Sequence, residues 1–469
     1  MFPKDWRITL DPSVRRIDGG SVLVGGSPLR IMRLTDAGAR LIDKLAEGTP
    51  LPQSSNAQRL LRRLLDAGMA HPRPGRTALR RGDVTLVIAL RDQTLARKEA
   101  DGCTMVVVDD GSEEPPVVHA GTTVLRHDRA QGPAAARNTG WRAATTDLIA
   151  FVDADCAPNR GWLEQLLPHF DDPMVAAVAP RITSTVPGIL PRALASYEAS
   201  RPALDRGGQA ATVRPRSPVP FVPTAALVVR RRILQDLGGF DETMRFGEDV
   251  DLIWRVTSAG WTVRYEPSAT VAHPARSTAS AWLRQRFDYG TSAAPLARKH
   301  GTAVAPLAVS PWSALVWGLA GMGAPVAGAA VAFGTTAVLA RRLRELEHPW
   351  AESLQLAGKG HLYAGRSVAD AVRRAWWPLA LGAAVVSKRA RRGLIAAAML
   401  PSLLEWWQLR PNLDPATWTM VRVVDDMAYG AGVWAGCLHE RSSAALRPDL
   451  TLWPGRHAAV EQVVSDLGA

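Results

Sequence analysis

The chain has 469 residues, more than one ordinary hydrophobic core accommodates, so two or three domains are expected. Its 47% hydrophobic and 21% charged residues suit large buried areas or a membrane surface and exclude an intrinsically disordered chain. A formal net charge of +12 favours anionic partners (phosphate-bearing substrates, anionic lipid or nucleic acid), while three cysteines with no C-x-x-C pair indicate neither a disulfide framework nor a structural zinc site.

The N-terminus, MFPKDWRITLDPSVRR, lacks the continuous apolar core of a signal peptide, so a cytosolic chain is expected. Residues 1–80 read as a small module. RLTDAGARLIDKLAEG carries Leu34, Leu41, Ile42 and Leu45 at helical spacing, and NAQRLLRRLLDAGMAHPRPG repeats the pattern with Leu60, Leu61, Leu64 and Leu65. Short strands, two helices and a turn rich in Pro and Gly predict a winged-helix-like shape. Such a shape binds DNA, grips a peptide as an added strand, or merely packs. Fourteen Lys and Arg against seven Asp and Glu would suit DNA. The second helix, however, offers mainly Arg59, Arg62 and Arg63 outside its apolar face and no Asn or Gln cluster for base edges, so no nucleic-acid partner is expected. RLTDAGARLIDKLAEG resembles the PqqD-like peptide-recognition domains found with pathways that build redox cofactors from ribosomal peptides.

From residue 83 onward, DVTLVIAL, CTMVVVDDGS, TTVLRHD, DLIAFVDAD and VAAVAPRI read as strands, with PAAARNTGWRAA and RGWLEQLLPHF as helices between them. This alternation predicts an open, largely parallel α/β sheet, in which ligands lie beyond the carboxyl ends of the strands. Asp109, Asp110, Asp153 and Asp155 all follow strand ends. Paired carboxylates offer the hard oxygen ligands that suit Mg²⁺ or Mn²⁺, though Asp-x-Asp alone is weak evidence. Its company adds weight: VVVDDGS, GPAAARNTGW, FVDADC and GGFDETMRFGEDVDLIWR stand in this order.

These four motifs resemble family 2 glycosyltransferases of the GT-A fold, a Rossmann-like nucleotide-diphospho-sugar transferase architecture, over residues 83–300. The resemblance implies that Asp92 and Asp110 hold the nucleotide, with Arg137, Asn138 and Asp153 also on the nucleotide-sugar side. It implies Asp155 as metal ligand with His273 as a further one, and Asp249 as catalytic base. Glu248, Asp251, Arg284 and Arg286 are expected on the acceptor side. A divalent cation would then neutralise the departing diphosphate while one carboxylate deprotonates the acceptor, in a single inverting displacement. WLRQRFDYG stands where processive polysaccharide synthases carry Gln-x-x-Arg-Trp, which argues against chain extrusion. A nucleotidyltransferase would need a Gly-rich phosphate loop that LVIALRDQTLARKEADG lacks.

Residues 301–440 form an apolar helical region, followed by a tail at 441–469. Gly301 to Ala340 holds no Asp, Glu, Lys or Arg and is flanked by cations on both sides, which predicts membrane contact and allows a two-helix hairpin turning near GMGAP. AWWPLALGAAVV and LIAAAMLPSLLEWW are too short to span and are expected as in-plane interfacial helices or core, with SKRARRG between them suited to an anionic membrane surface. With GKGHLYAGRSVADAVRRAWWPLAL, the whole arrangement resembles the glycosyltransferases of mycofactocin systems. That resemblance implies transfer of β-linked glucose from a UDP-sugar donor to a peptide-derived redox cofactor, at the cytoplasmic side of the membrane. The alternatives are a lipid or cell-envelope glycan acceptor, and a non-catalytic peptide-binding scaffold tethered to the membrane.

Overall fold

A computed structural model describes residues 1–95, 102–451 and 460–462. The chain divides into two compact units, one formed by Met1–Pro187 and Arg201–Ala275 with 460–462, the other by Gly188–Ser200 and 276–451.

The first unit begins with β1 (Arg7–Leu10), β2 (Arg15–Ile17), β3 (Val22–Gly25) and β4 (Arg30–Arg33), then α1 (Asp36–Ala46), α2 (Ser55–Asp66) and β5 (Ala70–Arg73). β2, β3 and β4 form an antiparallel meander, and β5 closes back on β1. Both helices start at hydroxyl caps: Thr35 accepts from the Gly38 N–H and Ser54 from the Ala57 N–H. Leu41, Ile42 and Leu45 from α1 meet Leu61, Leu64 and Leu65 from α2 over Trp6, Ile8, Leu23 and Met32, a core of the module's own.

The nucleotide-type sheet follows. Its elements are β6 (Val84–Leu90), β7 (Thr104–Asp109), β8 (Thr123–Arg126), α3 (Pro133–Ala143), β9 (Leu148–Val152), β10 (Ala157–Pro158), α4 (Trp162–Leu166) and β11 (Val175–Thr185). After α5 (Arg192–Ser200), which belongs to the second unit, come β12 (Ala211–Thr212), β13 (Ala226–Arg230), α6 (Arg231–Leu237), α7 (Glu248–Ser258) and β14 (Thr262–Pro274). The sheet runs β10-β14-β11-β13-β9-β6-β7-β8, with β12 on β14. β9, β6, β7 and β8 are parallel, whereas β13 runs against both β9 and β11. The central strands are apolar on both faces, as a sheet covered on both sides requires. α3 lies close on this sheet because Gly140 faces it; a side chain there would overlap Val87 and crowd Val108. The resulting GT-A architecture sets the carboxyl ends of β6, β7 and β9 along one edge.

The second unit is helical: α8 (Ala279–Thr291), α9 (Ala293–His300), α10 (Pro311–Gly321), α11 (Pro325–Arg342), α12 (Pro349–Arg374), α13 (Trp377–Val386), α14 (Lys388–Leu409) and α15 (Pro415–His439) join α5. Its centre is polar and paired. Tyr197 Oη donates to Asp425 (2.7 Å), Trp282 Nε1 to Glu198 (2.7 Å), and Arg286 bridges Glu198 and Asp425.

The spanning hairpin expected at 301–340 is corrected here. The chain does turn at Met322–Ala324, near GMGAP, but α10 has 11 residues and α11 has 18, and no helix among the described residues is long and apolar enough to cross a membrane. Pro311 and Pro325 cut the uncharged run: each stands in the first turn of a new helix, where proline is tolerated, and neither permits continuation from the preceding turn.

Candidate active site

The first acidic pair hangs from the end of β9. The Asp153 N–H donates to the Ala225 carbonyl and the Asp153 carbonyl accepts from the Cys156 N–H (both 3.0 Å), so the chain folds sharply over Asp153–Cys156. β10 then pairs antiparallel with β14, placing Ala157 opposite Ala272. This register brings Asp155 beside His273, with Nε2 and Oδ1 3.7 Å apart. Asp155, Cys156 and His273 offer ligand atoms that all lie within 4.8 Å of one another. A carboxylate oxygen and an imidazole nitrogen on a partly open rim fit a divalent cation of the Mn²⁺ or Mg²⁺ type. Burial, then the charges of Asp153 and Asp155, push the Cys156 thiol well above its ordinary value. Cys156 was not singled out in the sequence, although it directly follows the Asp-x-Asp pair.

Arg137 on α3 ties this pair to the second one. Its Nη2 donates to Asp153 (2.9 Å) and its Nη1 to Glu248 (2.7 Å). Burial works against the guanidinium charge, but Asp153 and Glu248, with a further contribution from Asp249, outweigh it and hold Arg137 above its usual range. Glu248 and Asp249 open α7 after Gly247, which takes the left-handed conformation (φ 79°). Burial, then the adjacent Glu248 carboxylate, raise Asp249 to about 7; the Val250 N–H, Arg137 and Arg206 pull the other way. Asp249 is therefore a carboxyl group poised to take or give a proton near neutrality. Arg206, in a loop with no recognisable motif, escaped the sequence reading.

Other expected ligands are committed elsewhere. Asp110 is buried and accepts from Gln131 N–H and Gly132 N–H while meeting His127 Nδ1, each at 2.8 Å, so its oxygens shape the loop entering α3. Asn138 donates to the Phe240 carbonyl (2.9 Å) and Glu242 (2.7 Å) and accepts from Phe240 N–H and Trp141 Nε1 (both 2.9 Å). With this bonding capacity used, its assignment to the nucleotide sugar is corrected: Asn138 pins the Gly-Gly-Phe-Asp turn to α3. Gly239 in that turn has φ +72°, and a side chain there would overlap Asn138. Asp251, placed on the acceptor side by resemblance, is wholly buried and pairs with Arg255 (2.8 Å), whose other nitrogens hold the Leu237 and Gly239 carbonyls. Arg286 is likewise buried among Glu198 and Asp425, so an acceptor contact is corrected to an internal ion pair. Arg284 on the same helix is exposed. Asp92 is exposed at a left-handed position (φ 50°); its carboxylate accepts from Glu113 N–H and its own N–H donates to Ser112 Oγ (both 2.9 Å), which joins the first strand end to the Asp-Asp-Gly-Ser loop.

A Rossmann-like sheet with acidic pairs at a strand end and a helix start is the arrangement of a glycosyltransferase. The model for Glycosyl transferase family 2 matches residues 86–238, and the chain belongs to that family. Over 469 aligned residues it is 42% identical to the Pre-mycofactocin glycosyltransferase of Mycobacterium tuberculosis, covering 96% of this chain and 98% of that one. It is also similar to Glycosyltransferase AglE of Haloferax volcanii, at 25% identity over 43% of this chain and 65% of AglE. Among solved structures, a mannosyltransferase from Pyrobaculum calidifontis in complex with GDP-Man and Mn²⁺ aligns with 67% of this chain and 84% of its own at 18% identity, with a TM-score of 0.34.

Proposed function

We propose that this glycosyltransferase moves a hexose, glucose from UDP-glucose, in β-linkage onto a peptide-derived redox cofactor of the mycofactocin type, by a single inverting displacement that depends on a divalent cation. The observation that carries the mechanism is the Arg137 bridge between Asp153 and Glu248, which ties the strand-end acids to the helix-end acids beside Asp249. Asp155 and His273 would hold the ion, whose chemistry when bound is to take up negative charge as the diphosphate leaves. Asp92 orients the nucleotide at the open end of β6, and Asp153 the ribose or sugar. Asp249 accepts the acceptor hydroxyl proton as that oxygen bonds to the anomeric carbon and the bond to the diphosphate breaks. The similarity to a pre-mycofactocin enzyme along nearly the whole chain supports the acceptor class. Exposed apolar side chains on the C-terminal helices, such as Leu379, Val386, Ile395 and Trp407, support work at the cytoplasmic side of the membrane.

The test is UDP release from UDP-glucose with Mn²⁺ or Mg²⁺ and a deglycosylated mycofactocin precursor. Native protein should turn over only with acceptor present. Asp249→Asn and Asp155→Ala should lose at least a hundredfold. Full turnover in both variants would remove the site assignment, and turnover with a lipid acceptor instead would change the acceptor.

A further inference from the structure

We propose that the second unit docks in the plane of an anionic lipid bilayer through the outward faces of α13 and α14, with the Lys388–Arg392 turn set against the phosphate headgroups. This rests on the membrane-side reading above and on the in-plane, anionic-surface expectation for this stretch, and adds to them the exposed side chains that make the contact.

α13 carries no charged residue, and its apolar residues are distributed on every side rather than along one stripe. Leu379, Leu381, Val385 and Val386 are exposed, the last two at 78% and 86%. A surface helix of a water-soluble domain normally turns such residues inward. With ten residues, α13 is about 15 Å long, half the thickness of a bilayer's hydrocarbon, so it fits in the plane and not across it. At its end the character changes abruptly: Ser387 caps α14, and Lys388, Arg389, Arg391 and Arg392 are all exposed in the first turns. α14 then presents Ile395, Met399, Leu400, Leu404 and Trp407 to the outside, on the half of the helix opposite the buried Pro401 and Ser402. Arg389 also donates to the Met322 carbonyl (3.1 Å), which holds the exposed Met322 turn of α10 and α11 beside the cationic cluster.

The choice of lipid over a second protein follows from charge. Between Trp376 and Leu404 there are four cations and no acidic residue. Protein interfaces are depleted in lysine at their cores and need opposite charge from the partner, whereas apolar side chains interleaved with cations match acyl chains below phosphates. Each cation near an anionic surface strengthens binding about fivefold.

The experiment is co-sedimentation of the full chain with vesicles of phosphatidylcholine alone and of phosphatidylcholine mixed with phosphatidylglycerol, at low and high salt. Binding should require phosphatidylglycerol and weaken with salt. Lys388→Ala with Arg392→Ala should weaken it roughly 25-fold, and Val385→Asp with Val386→Asp should abolish it. Both double variants alter exposed positions away from the acids, so UDP release with a soluble acceptor should stay at the native rate and report an intact fold. Vesicle binding that survives Val385→Asp with Val386→Asp overturns the surface while leaving membrane placement intact. Equal binding to neutral vesicles overturns the lipid charge. No vesicle binding, with a native dimer that the valine variant dissociates, makes the face a protein interface and overturns the proposal together with membrane placement.

Discussion

Asp249→Asn should stop turnover and at the same time make the protein more stable, and the gain should depend on pH. In the folded chain the Asp249 carboxyl is raised from 3.8 to about 7, by burial and then by Glu248. Between these values the folded state binds more protons at this site than the unfolded state, so ionising it costs stability as pH rises. The cost comes to about 2 kcal/mol near pH 5 and about 4 kcal/mol near pH 8. Asparagine has the shape of the protonated acid and never ionises, so the variant escapes the cost. Thermal unfolding in metal-free buffer should show a higher Tm for Asp249→Asn by roughly 5 °C near pH 8 and less near pH 5. Equal Tm values at both pH values, or a variant less stable than native protein near pH 8, would refute the reasoning. So would native turnover by the variant.

The same carboxyl sets the acid limb of the native pH–rate profile near pH 7, with activity rising as Asp249 deprotonates; Glu248→Gln should move that limb downward by about one unit, because it removes a neighbouring negative charge. His273→Ala should raise the Mn²⁺ concentration for half-maximal UDP release at least tenfold, since even partners behind a metal ligand are worth about that much; an unchanged Mn²⁺ curve would take His273 out of the site. Asn138→Ala leaves Phe240 N–H and Trp141 Nε1 without their acceptor and should cost about 3 kcal/mol in urea unfolding. A loss below about 0.5 kcal/mol would mean that the Gly-Gly-Phe-Asp turn is held by other means.

The sheet was legible because its strands are short β-branched runs bounded by Asp and Gly, a pattern that burial on both faces imposes directly on composition. Asp153, Asp155 and Glu248 were legible as acids at element ends. What the sequence does not reveal is where each carboxylate is spent. Asp110, Asp249 and Asp251 look alike on the page, yet Asp110 holds three groups of the segment leading into α3, Asp251 is sealed against Arg255, and Asp249 is raised to about 7. Those fates depend on partners brought in by the fold, such as His127 for Asp110, and local spacing carries no trace of them. The C-terminal region misled for a related reason. Forty uncharged residues suggest a span by composition, but two prolines divide them into helices, and the pairing of Arg286 with Glu198 and Asp425 draws on segments far apart in the chain.

The Arg137 bridge also bears on how this chain can change over generations. Asp153 and Glu248 lie in separate motifs, yet they share one guanidinium, so the three residues behave as a single unit in mutational arithmetic. Loss of either acid leaves the arginine half-paired and buried, and a second loss then removes less than the first did, so measured effects will fall short of additivity. A neutral residue in one motif therefore narrows what the other can accept, and the two drift as linked positions despite their distance in sequence.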